Sequence, residues 1–231
     1  MKRLFLLTTC LLAAAVLNAQ TLEDIVKKYS VASKLDQVVN FKTVKITAKM
    51  SVMGMEVPIE LWMKNPNKIK NVMSFNGQDI VQSFDGQKGY VLNPMTGGGV
   101  TEMDANAVAQ IQRSNLFQNF LDKSLKDGKL SLEGEEAVNG APCFKLKLVL
   151  ESGESHLFMD KGTYLIVKQT ATMNMQGQEV ESETFMTDYK DFNGIMLPAK
   201  TTISAAGNEM VMEYTAVEVN IPMEDSIFVI K

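Results

Sequence analysis

His156 is the only histidine among 231 residues, and it stands in mid-strand beside Phe158. Without a second imidazole it cannot build the usual zinc set or a Ser-His-Asp relay, so its ordinary role is structural. Glu179, Glu181 and Glu183 alternate on one strand face, the pattern of a solvated surface rather than of an acid–base pair. The chain has two cysteines. Cys10 lies within an N-terminal apolar run and too close to Arg3 for a complete lipidation signal, so it is expected to leave with that segment. Cys143 alone cannot close a disulfide within one chain, and a small buried apolar side chain is its expected part. The chemistry these residues offer is therefore binding, not catalysis, with no cofactor and no metal.

Sixteen methionines are the compositional anomaly. Many fall on apolar strand faces, among them Met50, Met53, Met55, Met63, Met73, Met159, Met173, Met186, Met210 and Met212. Unbranched thioethers suit a surface that accepts flexible acyl chains, and they equally suit an irregular core. The formal net charge is -4, with the charges interspersed. Lacking a basic stripe, the chain is not expected to bind nucleic acid.

The elements that must position these side chains are read from periodicity. Lys2 and Arg3 precede an apolar run from Leu4 to Leu17 and then Asn18-Ala19, which reads as a signal peptide over residues 1–19; residues 20–231 are expected to form one exported, soluble domain. Thr21 and Asp24 cap an opening helix with Leu22, Ile25, Val26, Tyr29 and Ala32 at helical spacing. From Phe41 to Lys64 apolar and polar residues alternate almost without error, which predicts a long hairpin turning near Gly54. Asn76-Gly77 and Asp85-Gly86 mark further turns, and Asn93 to Gly99 a loop. Between Asp104 and Leu125 the period changes to that of two short helices, with a break at Arg113-Ser114. Alternation then resumes to the C-terminal strand carrying Met210 and Met212. The expected fold is mainly β: a curved antiparallel half-barrel of about eleven strands with an N-terminal helix and a helical lid insertion.

The order of several short patterns resembles the LolA/LolB-like superfamily of exported lipoprotein-sorting proteins. Beside the opening helix and hairpin, these are Asp85-Gly86-Gln87-Lys88-Gly89-Tyr90, the run Val138 to Leu146, Asp160-Lys161-Gly162-Thr163-Tyr164-Leu165 and the run Asp188 to Pro198. The resemblance implies a monomer in the periplasm, an unclosed barrel whose helices cover an apolar cavity that carries lipid or lipoprotein acyl chains, with an envelope receptor and transient membrane contact as further partners. On that reading the acyl chain meets Val44, Ile46, Met50, Val57, Ile59, Leu61, Met73, Met210 and Met212 from the sheet, and Phe117, Phe120 and Leu121 from the lid. Family carriers tie the lid shut with an arginine on an early strand; here the only arginine after Arg3 is Arg113, within the helical insertion. The competing expectation is a filled-core envelope interaction module with no lipid ligand.

Overall fold

The computed structural model describes residues 20–150, 153–175 and 178–230; the signal-peptide reading lies outside them. A hydroxyl opens the first helix, α1 (Leu22–Ala32). Thr21 Oγ1 accepts from the Asp24 amide at 3.1 Å, and Glu23 and Asp24 place negative charge at the positive end of the helix dipole. After Lys34, which takes a left-handed conformation, one short turn of helix, α2 (Leu35–Val38), delivers the chain to the sheet.

The hairpin read from alternation is β1 (Thr43–Val52) and β2 (Met55–Lys64). Its turn places Met53 and Gly54 both at positive φ, the conformation a two-residue hairpin loop needs. A meander of β3 (Lys68–Phe75), β4 (Gln78–Phe84), β5 (Gly89–Leu92) and β6 (Val100–Glu102) runs outward from β2. After the insertion come β7 (Leu130–Val138), β8 (Ala141–Leu150), β9 (Gly153–Asp160), β10 (Ile166–Met175), β11 (Gln178–Phe192), β12 (Ile195–Ala205) and β13 (Asn208–Val219). The last strand pairs with the first, so one antiparallel sheet of thirteen strands runs from β6 through β1 and β13 to β7. The count exceeds the expected eleven partly because β6 has three residues, all exposed, too few to show a period.

The two free edges, β6 and β7, are neighbours in sequence. Pairing them would close a barrel; instead the chain between them carries α3 (Ala105–Gln112), a 3-10 turn (Leu116–Gln118) and α4 (Phe120–Lys126). The second of the two expected helices is thus split at Asn119, whose backbone (φ 28°, ψ 75°) cannot continue a helix. Gly89 admits α3 closely: a Cβ there would sit 2.7 Å from Val108 Cγ2. Edge strand β7 is mostly exposed and carries Glu133, Glu135 and Glu136, which discourage pairing with a second sheet.

Two apolar clusters form beneath the helices. Ile25 and Val26 of α1 and Leu121 of α4 pack on Phe144, Leu146, Leu148, Leu157 and Met159. Val38 and Ile111 pack on Val44, Ile46, Met63, Ile69 and Val217. The C-terminal segment, which sequence periodicity does not reveal, crosses the early strands as a strap. Thr43 Oγ1 donates to the Ile221 carbonyl at 2.7 Å, Lys64 Nζ to the Met223 carbonyl at 2.8 Å and Ser83 Oγ to the Phe228 carbonyl at 2.7 Å, with Phe228 fully buried.

Candidate functional site

Alternation along β8 turns Phe144, Leu146, Leu148 and Leu150 toward the helices and Lys145 and Lys147 away. Register sets Leu157 of β9 beside Leu146 and, across β10, beside Gln169. This floor and the helices above it border a partly open cavity of about 250 Å³. Leu148, Leu150, Leu157 and Ile166 line it below; Tyr29 and Leu35 line one side; Leu116, Phe120 and Leu121 form the roof. The polar groups on its wall are few: Arg113, Asn115, Asn119 and Gln169. Gln169 is satisfied by Ser155, its Nε2 donating to Oγ at 2.9 Å, while Ser155 Oγ donates to the Thr170 carbonyl at 3.0 Å. Burial pushes the Tyr29 phenol up to about 12, even against the lowering effect of its hydrogen bond with Ser33. The wall residue Tyr29 therefore stays uncharged at neutral pH.

The roof is made of pieces of eight, three and seven residues, too short to be helical on their own. Each is capped by its own side chain. Asp104 Oδ1 accepts from the Ala107 amide, Asn115 Oδ1 from the Phe117 amide and Asn119 Oδ1 from the Asp122 amide. Neutral amides tie the roof to the body: Asn119 Nδ2 donates to Ser30 Oγ at 2.8 Å, and Gln112 Nε2 donates to the Asn67 carbonyl at 2.8 Å. These two bonds fasten the helical insertion to α1 and to the turn before β3.

A second cavity of about 220 Å³ adjoins the first; Arg113, Phe120 and Leu150 belong to both walls. A third, also about 220 Å³, lies between α3 and strands β2 to β4, where Leu61 and Ile69 meet Asn71, Gln82 and Gln110. Its wall is polar, and Asn71 Oδ1 has no hydrogen-bond partner among the described residues, which makes it a poor bed for a hydrocarbon chain.

The twelve residues read from sequence divide accordingly. Phe120 and Leu121 line the first cavity. Val44, Ile46, Leu61 and Phe117 pack instead in the cluster around Val38 and Ile111. Val57 and Ile59 are buried outside both clusters. Met50, Met73, Met210 and Met212 are half-buried, and cross-strand register joins Met50 to Val57 and Met212. Of the other methionines, Met63 and Met159 are fully buried, whereas Met53 (78% exposed) and Met55 (42%) face solvent at the hairpin tip. Sequence alone does not single out the cavity floor on β8 to β10; its leucines alternate like any strand's, and only the position of the helical insertion distinguishes them. His156 lies near β7, its Nε2 3.2 Å from Glu133 Oε2. Among the described residues no three His, Cys, Asp or Glu side chains cluster to hold a metal.

An open sheet zipped through its first and last strands, with a helical insertion between its free edges, is an arrangement seen in solved structures. The chain has the fold of LolA superfamily proteins. A LolA superfamily protein from Nitrosomonas europaea superposes with a TM-score of 0.62 at 14% identity, covering 91% of this chain and 98% of that one. An outer membrane lipoprotein-sorting protein domain from Vibrio parahaemolyticus gives 0.61 at 11% identity, over 88% and 95%. A DUF1329 family protein from Desulfovibrio piger gives 0.59 at 16% identity, over 89% and 97%. At such identities the LolA-like likeness is one of fold. No family model and no curated relative matches the sequence.

Proposed function

We propose that this protein is a periplasmic carrier that holds a lipid or lipoprotein acyl chain between its lid and the β8–β10 floor. One observation carries the reading: an apolar cavity of about 250 Å³ roofed by short helices that span the sheet's two unpaired edges. That volume falls just below the ~300 Å³ at which small-molecule sites begin, so loading a full chain involves displacing the lid. Each buried methylene contributes about 0.8 kcal/mol, enough over a long chain to outweigh the few polar ties that hold the lid. The lipoprotein-sorting domain from Vibrio parahaemolyticus, which shares the fold, supports the same class of cargo. Residues 1–19 would direct export and be removed, leaving residues 20–231 as a single domain. No helix among the described residues is long and apolar enough to cross a membrane. The role is binding and transfer rather than catalysis, with an envelope receptor or a membrane as the exchange partner.

The filled-core interaction module retains one specific observation: on the β1–β3 side Val44, Met63 and Ile69 are fully buried, and the cavity between the early strands and α3 has a polar wall. Native mass spectrometry of protein purified without detergent, followed by organic extraction, separates the two. A stoichiometric lipid adduct is the expected result. Bare protein that also fails to take up fatty acids or lipopeptides establishes the module instead.

A further inference from the structure

We infer that the cargo is anionic: an acyl amphiphile whose chain enters the apolar cavity while its head, a carboxylate or a phosphate ester, rests against Arg113. This deepens the carrier reading and rests on it. Arg113, Phe120 and Leu150 stand in the walls of both adjoining cavities, so they form the boundary between them. On the far side of that boundary the wall changes character. Lys123 and Lys129 join Arg113 there, beside the carboxylate of Asp127, on a chain whose formal charge is -4. An apolar chamber opening on a basic vestibule matches the two ends of an anionic amphiphile.

Arg113 is the side chain placed to read the head. Lys123 is already paired with Asp127 at 2.6 Å. The guanidinium of Arg113 is half-buried and makes no hydrogen bond or ion pair with any described residue. Its backbone amide closes α3 on the carbonyls of Gln110 and Ile111, which fixes the residue's place and leaves the side chain unused. A planar fork of donors fits a carboxylate or phosphate through two parallel hydrogen bonds. A neutral head would cover the same fork without satisfying it, which penalises neutral lipids.

The test compares three probes sharing one palmitoyl chain: palmitate, lysophosphatidate and neutral monopalmitin, titrated into delipidated protein at low and high salt. The anions are expected to bind roughly tenfold tighter than monopalmitin, with the advantage shrinking at high salt. Arg113→Gln is expected to bring the ratio to about one, and Arg113→Lys to restore part of it. Palmitate ahead of lysophosphatidate assigns a free carboxylate, the reverse a phosphate. If Arg113 served only the end of α3, its substitution would move the melting temperature and leave the ratio intact, which overturns the inference. So does monopalmitin binding as tightly as both anions in the unsubstituted protein. Failure of all three probes to bind overturns the carrier reading itself.

Discussion

Asn119 Nδ2 donates to Ser30 Oγ at 2.8 Å, joining the roof of the cavity to α1 across 89 positions of sequence. The same Asn119 caps α4 through its Oδ1, which accepts from the Asp122 amide. One side chain therefore shapes the lid and fastens it, and the two tasks separate by mutating the partner rather than Asn119.

Ser30→Ala removes the fastening and spares the cap. A net hydrogen bond contributes about 1 kcal/mol, so global stability should fall by about that much. The amides of α4 should exchange faster with deuterium, and a fluorescent fatty acid should load faster. Unchanged exchange in α4 alongside unchanged loading would show that the lid does not hinge at this contact.

The position of the chain within the fold is tested by a pair of charges. Leu157→Asp buries a carboxylate in the apolar cavity floor and should abolish acyl binding; the same site costs roughly 3 kcal/mol or more of stability, so circular dichroism must accompany the assay. Met50→Asp falls on the half-buried methionine pairs of β1 and β13 and should weaken binding only if cargo extends that far. Loss in Leu157→Asp with retention in Met50→Asp places the chain on the β8–β10 floor; the opposite pattern returns it to the early hairpin.

Much of the fold is written in alternation, and the contrast between these two positions shows where sequence stops. Met50 and Leu157 sit in equally regular strands, and nothing in either run says which one the lid will cover. That depends on which edges the insertion spans, a long-range fact. The short patterns that suggested the fold turn out to be turn chemistry. Asp85 Oδ1 accepts from the Gln87 and Lys88 amides, Asp160 Oδ1 from the Gly162 and Thr163 amides, and Asp191 Oδ1 from the Gly194 amide. Such turns fix register between strands and so report architecture, while remaining silent about cargo. Trp62 stands among the polar residues of β2 for a local reason: across the β1–β2 pair its ring lies under Lys45 Nζ at 4.2 Å.

Cys143 offers an internal reporter of unfolding. It is fully buried with Val138 and Phe158, its burial pushes the thiol up from its ordinary range, and Sγ meets the Ala141 carbonyl at 3.5 Å. Both effects suppress the thiolate. A thiol-reactive dye should label the native protein slowly at neutral pH, at a rate indifferent to acyl ligand, and rapidly in denaturant. Fast native labelling would show that β8 opens locally. Cys143→Ser should cost about 1–3 kcal/mol by burying a hydroxyl in an apolar cluster.

Asp225 gives the C-terminal strap a pH dependence. Its carboxylate accepts from Lys64 Nζ at 2.7 Å and Lys68 Nζ at 2.9 Å, and these two lysines hold its carboxyl below the usual range. A carboxyl whose pKa is lower folded than unfolded favours the folded state above the unfolded value, about 3.9, and loses that contribution as pH falls through the folded value. Asp225→Asn should therefore melt slightly below the unsubstituted protein at neutral pH, by a small margin because the pair is exposed, and the two melting curves should converge as pH drops below about 4. A gap that persists undiminished in acid would mean that the strap is held by Phe228 and its backbone bonds, with the lysines contributing nothing.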